Sequence, residues 1–132
     1  MTALRHAVRT DDAPAAVAPY NQAMVGAGLV FTAGSLGLDP ATGTLVAGGA
    51  AAEAARAIQN LGAILDAAGS GLDRVLKTTV YLVDMVDYAA VNAVYRDAFP
   101  EPYPARTAIA VAALPLEARV EIECVALGPG GS

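Results

Sequence analysis

Along residues 50–68 apolar side chains recur every three or four positions. Ala54, Ala57, Ile58, Leu61, Leu65 and Ala68 fall on one stripe, and Gly69 is placed to end the run. That spacing predicts an amphipathic helix. A second helix is predicted from Asp87, as N-cap, through Phe99, with Val91, Val94, Tyr95 and Ala98 on one side and Pro100 as its stop. Four apolar stretches read as strands. Residues 29–33 follow the turn-like Gly26-Ala27-Gly28, and 75–83 is long and β-branched, as suits a central strand. Residues 106–114 and 119–127 flank Pro115 and read as an antiparallel pair. Residues 36–49, with Asp39-Pro40 and several glycines, read as loop. The order predicts an α+β fold: one two-layer domain, a mixed β-sheet with two helices on one face.

Such a domain leaves the other sheet face bare. In 75–83, alternation sets Leu76, Val80 and Leu82 on one face and Val75, Tyr81 and Val83 on the other. Both faces are then largely apolar, and copies of the same chain are the simplest cover, which predicts a homo-oligomer. Residues 1–132 form a single domain in this reading, with 1–12 and 128–132 as flexible ends.

Composition narrows the function. The 132 residues match one domain, and 55% are apolar, yet no apolar run reaches the ~18–20 residues of a membrane span. Residues 1–12 carry Arg5, Arg9, Asp11 and Asp12 and no apolar signal core, so a cytoplasmic location is expected. Cys124 and His6 are the sole cysteine and histidine. An internal disulfide, a cysteine-rich metal site and a well-placed Ser-His-Asp triad are all disfavoured, and no metal or cofactor is expected. The net charge of −5, with Lys and Arg scattered singly, weighs against a nucleic-acid partner.

The chemistry concentrates near the end of the chain. In 119–127, alternation puts Glu121 and Glu123 on one side, opposite Val120, Ile122 and Cys124. Two half-buried carboxylates need a cationic or hydrogen-bonding partner. If Ala113 pairs with Ala118, Arg106 falls on the carboxylate side, diagonal to Glu123 and further from Glu121. On spacing alone, a structural ion pair and a site in which Arg106 grips a ligand carboxylate stand level. Pro104, marking a strand entrance, favours the site.

Pro104-Ala105-Arg106-Thr107, Val111-Ala112-Ala113-Leu114-Pro115 and Val120-Glu121-Ile122-Glu123 together resemble the closing signature of the RidA (YjgF) family. Pro19-Tyr20, Thr32-Ala33-Gly34, Asp39-Pro40, Asn60, Lys77-Thr78-Thr79 and Val91-Asn92 continue the likeness in order, over residues 12–127. The resemblance implies a homotrimer with clefts between subunits. It also implies hydrolysis of reactive 2-enamine/2-imine acids, such as 2-iminobutanoate and 2-iminopropanoate, to 2-keto acids and ammonia. By the same resemblance Arg106 holds the substrate carboxylate and Glu121 serves the attacking water. Tyr20, Asn92 and backbone groups near Gly34 and Ala108 line the site. Partial burial would raise the Glu121 pKa toward a more useful base. Ala33, Ser35, Glu53 and Ala108 depart from residues common in the family, which opens substrate preference. A carboxylate-binding or biosynthetic paralogue ranks second, and single-stranded RNA cleavage third.

Overall fold

The computed structural model describes residues 4–130 of the chain. Strand β5 (Val75–Leu82) lies inside a seven-stranded mixed sheet, between β7 (Val120–Leu127) and β6 (Ala105–Ala110). Outward from β7 run β3 (Leu29–Thr32), β2 (Ala23–Gly26) and β1 (Arg5–Val8), while β4 (Ser35–Leu36) also pairs with β7. Every pairing is antiparallel except β5 with β6. Helices α1 (Gly49–Ala67) and α2 (Tyr88–Ala98) cover one face, so the architecture is the predicted one.

The core lies under those helices. Ile58, Leu61 and Leu65 of α1 meet Val30, Val80, Leu82, Val120 and Ile122 of the sheet, all essentially inaccessible to solvent. Each such side chain contributes roughly 1.5–3 kcal/mol of burial. Two sets of polar groups on this side are matched. The Tyr95 and Thr78 hydroxyls lie 2.8 Å apart, and the amide of fully buried Asn60 donates to the Leu36 and Leu38 carbonyls at 3.2 and 2.9 Å. Asn60 thereby ties α1 to the loop that follows β4.

The expected antiparallel pair of 106–114 with 119–127 is overturned. Strands β6 and β7 do not touch; β5 lies between them. The connection passes over the end of β5, where the Val111 amide donates to the Leu82 carbonyl and the Val83 amide to that of Arg119. The physical reason is that β5, with its inward side chains buried, satisfies its backbone groups by a ladder of hydrogen bonds along each edge. Within the connection Leu116 and Glu117 both adopt left-handed φ, 59° and 60°. Consecutive positive φ is what a type I′ hairpin turn uses, so it is β5, lying between the two strands, that excludes the expected pair around Pro115.

A second correction concerns which side chains of β5 face the core. The ladder with β7 shifts between Val75 and Lys77, as at a β-bulge. This sends Val75, Thr78, Val80 and Leu82 inward and leaves Leu76 46% exposed. Plain alternation had paired Leu76 with Val80. Of the two ends expected to be flexible, residues 5–8 pair as β1, and Gly128 is held by Gly28 and Arg74. Residues 1–3 and 131–132 lie outside the described residues. Asp87 precedes α2 as expected, but its side chain makes no cap hydrogen bond.

Candidate functional site

Strand pairing decides where each candidate points. Arg106 lies opposite Thr78, itself opposite Cys124, and all three side chains point to the helix-covered face. Glu121 lies opposite Tyr81, and with Glu123 it points to the open face. The assumed register put Arg106 on the carboxylate side. The structure puts it on the other side, because β6 pairs in parallel with β5 instead of folding back on β7.

Arg106 stands at the sheet edge beside α2. Its Nη2 donates to the Tyr88 hydroxyl at 3.2 Å, and its guanidinium carbon is 4.8 Å from the Tyr95 ring centre and 5.6 Å from that of Tyr88. Aromatic faces attract a guanidinium without neutralising it. Among the described residues no carboxylate forms an ion pair with Arg106. A cleft of about 290 Å3 opens here, lined by Asn92, Tyr95, Arg96, Tyr103, Pro104 and Arg106. The structure thus brings two predicted residues, Arg106 and Asn92, together around a cationic fork suited to a carboxylate. Ala108, two positions along β6, shares the face of Arg106 and packs against the edge of the core.

Glu121 belongs to a different place. A Cβ added at Gly34 would lie 2.6 Å from the Glu121 Cδ and 2.9 Å from its Oε2, so the carboxyl group occupies room that only glycine leaves. Burial, and secondarily the charge of Glu123, raises the Glu121 pKa above the usual carboxyl value, as expected. Glu123 is itself engaged, accepting from the Tyr81 hydroxyl at 2.8 Å. Gly34 and Glu121 therefore form a second group on the open side of the sheet. Tyr20 forms a third, half exposed beside a depression of about 430 Å3 bounded by residues 8–22 and Pro40. Within one chain the six predicted residues do not meet.

Sequence reasoning missed Tyr88 and Tyr103 as neighbours of Arg106 and read Tyr95 only as a buried helix position. A signal was present: Tyr88, Asn92 and Tyr95 are spaced four and three apart, which places them on one helix face. Among the described residues no cluster of His, Cys, Asp and Glu could hold a metal, and no helix is long and apolar enough to cross a membrane.

Known proteins share this arrangement of chain. The family model described as Endoribonuclease L-PSP matches residues 10–128. The Drosophila melanogaster protein named RutC family protein UK114 is 49% identical over 126 residues, 96% of this chain and 91% of its own. The human 2-iminobutanoate/2-iminopropanoate deaminase is 46% identical over 127 residues, 96% of this chain and 93% of its own. The crystal structure of RidA from the Antarctic bacterium Psychrobacter sp. PAMC 21119 superposes with a TM-score of 0.89 at 43% identity, covering 92% of this chain and 98% of that one. With sequence and fold in agreement along nearly its whole length, the chain belongs to the Endoribonuclease L-PSP family, to which its closing motifs point under the name RidA.

Proposed function

We propose that this chain hydrolyses 2-imino acids, 2-iminobutanoate and 2-iminopropanoate among them, to 2-oxo acids and ammonia, in clefts built from two copies of the chain. Near-half identity with proteins named for that activity is the observation that carries the reaction. Arg106 holds the substrate carboxylate in its fork. Glu121 takes a proton from water as the water oxygen bonds to C2 of the protonated imine. The resulting amino alcohol takes that proton back on nitrogen, its C–N bond breaks as the hydroxyl gives up its proton and becomes the carbonyl, and the 2-oxo acid remains while the nitrogen leaves as ammonium. One water is consumed and there is no change of oxidation state. The iminium is electrophilic already, so placing the acid group, the water and one base is the work required.

A charge-assisted hydrogen bond contributes about 1.5–3 kcal/mol, whereas even a millimolar dissociation constant requires about 4.1 kcal/mol. Arg106 therefore shares the load with Asn92 and with backbone donors near Ala108 and Gly34.

The sheet supports the two-copy cleft. Arg106 and Glu121 sit on opposite faces and two strands apart, about 10 Å laterally, so one water cannot serve both within a chain. A contact in which the Arg106 side of one copy meets the Glu121 side of the next is head-to-tail, and such contacts form a ring when the rotation between copies closes. A ring of three also covers Phe31, Ile109 and Leu127 on the open face.

Two measurements test this. Release of 2-oxobutanoate from 2-iminobutanoate generated in situ should accelerate in proportion to added protein, and an unchanged rate would end the proposal. Light scattering should give three times the 13.3 kDa chain mass, and a stable monomer would end the two-copy cleft. The family's description also names a ribonuclease. The net charge of −5 argues against it, and single-stranded RNA should survive incubation with the protein.

A further inference from the structure

We infer that Tyr88 is a positioning residue for Arg106, and that the Arg119–Asp87 pair fixes the helix turn from which Tyr88 reaches it. The inference rests on the proposed role of Arg106 as carboxylate anchor.

Arginine is long, and a fork that must meet a planar carboxylate gains from being held before the ligand arrives. Two aromatic residues flank this one, and they differ. The Tyr95 hydroxyl is engaged with buried Thr78, so its ring is a fixed wall. Tyr88 is 37% exposed, and its hydroxyl is the atom in hydrogen-bond contact with the guanidinium. A neutral hydroxyl orients the cation without cancelling the charge a ligand would need.

Tyr88 opens α2 directly after a 3-10 turn, Met85–Asp87, whose entry Asp84 caps by accepting from the Val86 amide at 2.9 Å. Asp87, immediately before it, is the natural residue to cap α2, yet it has helical backbone angles and makes no side-chain cap hydrogen bond. Its carboxylate accepts instead from Arg119, whose Nε lies 3.1 Å from Oδ2 and whose Nη2 lies 2.9 Å from Oδ2 and 3.2 Å from Oδ1. Arg119 is anchored in turn at its backbone. Its amide donates to Oε1 of buried Glu53 in α1 at 2.8 Å, and its carbonyl accepts from the Val83 amide at 3.3 Å. A continuous path therefore runs from α1 through Glu53, Arg119, Asp87 and Tyr88 to the Arg106 fork. Arg119 also stands two residues before Glu121, so one residue is built into both halves of the chemistry.

The test is a double-mutant cycle, with kinetics on 2-iminobutanoate generated in situ and thermal melting and mass measured on the same samples. Tyr88→Phe removes one oxygen and keeps the ring. It should lower kcat/KM about five- to tenfold with an unchanged melting temperature. Asp87→Asn should produce a loss of similar size, and in the Tyr88→Phe background it should add almost nothing, because both act on the same fork. Arg119→Lys should keep part of the activity and Arg119→Leu should not. Tyr88→Phe at wild-type efficiency, with Arg106→Ala inactive, overturns the inference and leaves the anchor standing. Losses that simply multiply in the double variant, or that track a fall in melting temperature, overturn it as well. Wild-type efficiency in Arg106→Ala removes the anchor and the inference together.

Discussion

The two faces of the sheet are made from the same strands and do opposite work. On the helix side, Val80, Val120 and Ile122 are dry and interlocked, and the one cation of β6, Arg106, sits at the margin against aromatic rings. On the open side the same strands present Tyr81, Glu121 and Glu123 beside the exposed Phe31 and Ile109. One face stores stability. The other carries the paired carboxylates and leaves apolar side chains exposed. The difference teaches that strand alternation, which gives a sheet its core, also keeps Arg106 and Glu121 apart, since they stand on strands separated by β5 and an odd number of steps out of phase.

The sharpest way to break that comparison is complementation. Arg106→Ala and Glu121→Gln should each lower kcat/KM by at least about a hundredfold, ~2.7 kcal/mol of transition-state stabilisation. Co-refolding equal amounts of the two should restore about a quarter of the wild-type activity, since one cleft in four then receives an intact residue from each side. Failure to recover, with mixed assemblies verified by mass, would mean the two residues serve one chain.

Stability should divide along the same line. Ile122→Ala, on the helix side, should cost about 3 kcal/mol in denaturant melts. Ile109→Ala, 43% exposed on the open side, should cost less than about 1 kcal/mol in the separated chain while promoting dissociation on dilution. Equal losses would show that the open face is as much core as the other.

A smaller effect concerns pH. Glu121 must be ionised to accept a proton, and its pKa is raised, so activity should fall as pH drops through that raised value. The groups facing Glu121 are Glu123 on its own strand, Tyr81 on β5 and the Gly34 turn. Glu123→Gln removes the neighbouring negative charge and should move the acid limb to lower pH, a several-fold gain in activity on that limb. An unmoved limb would detach Glu123 from the titration. The least effect of all belongs to Cys124. Burial pushes its thiol pKa to about 11, so iodoacetamide should leave the folded protein unmodified at neutral pH and label it only after unfolding.

Much of this was legible in the sequence. The helix at Gly49–Ala67 declares itself by a long, uninterrupted 3.6-residue stripe, and Val120–Leu127 by strict alternation. The motif residues Arg106, Asn92 and Glu121 were also singled out. Their arrangement was not, because local pattern carries no information about which strand inserts between two others. A Pro-containing link between two strands reads as a hairpin until the competition for the edges of β5 is considered. The shift at Val75 was hidden for a related reason: a bulge is a tertiary accommodation with no signature of its own in a run of β-branched residues. The Arg119–Asp87 pair spans 32 residues, and a cap residue diverted to a distant guanidinium looks, in sequence, like an ordinary cap.

The seat of Glu121 has a consequence for design. Its carboxyl group rests where the methyl of any larger residue at position 34 would be, so an atom that is missing defines where the base stands. Gly34→Ala would evict that carboxyl without touching Arg106, which lies on the far side of the sheet. The product would keep the Arg106 fork, with the share of the grip from backbone donors near Gly34 disturbed, and would lack the carboxylate proposed to serve the water: a starting point for capturing short-lived carboxylates that the parent protein would consume.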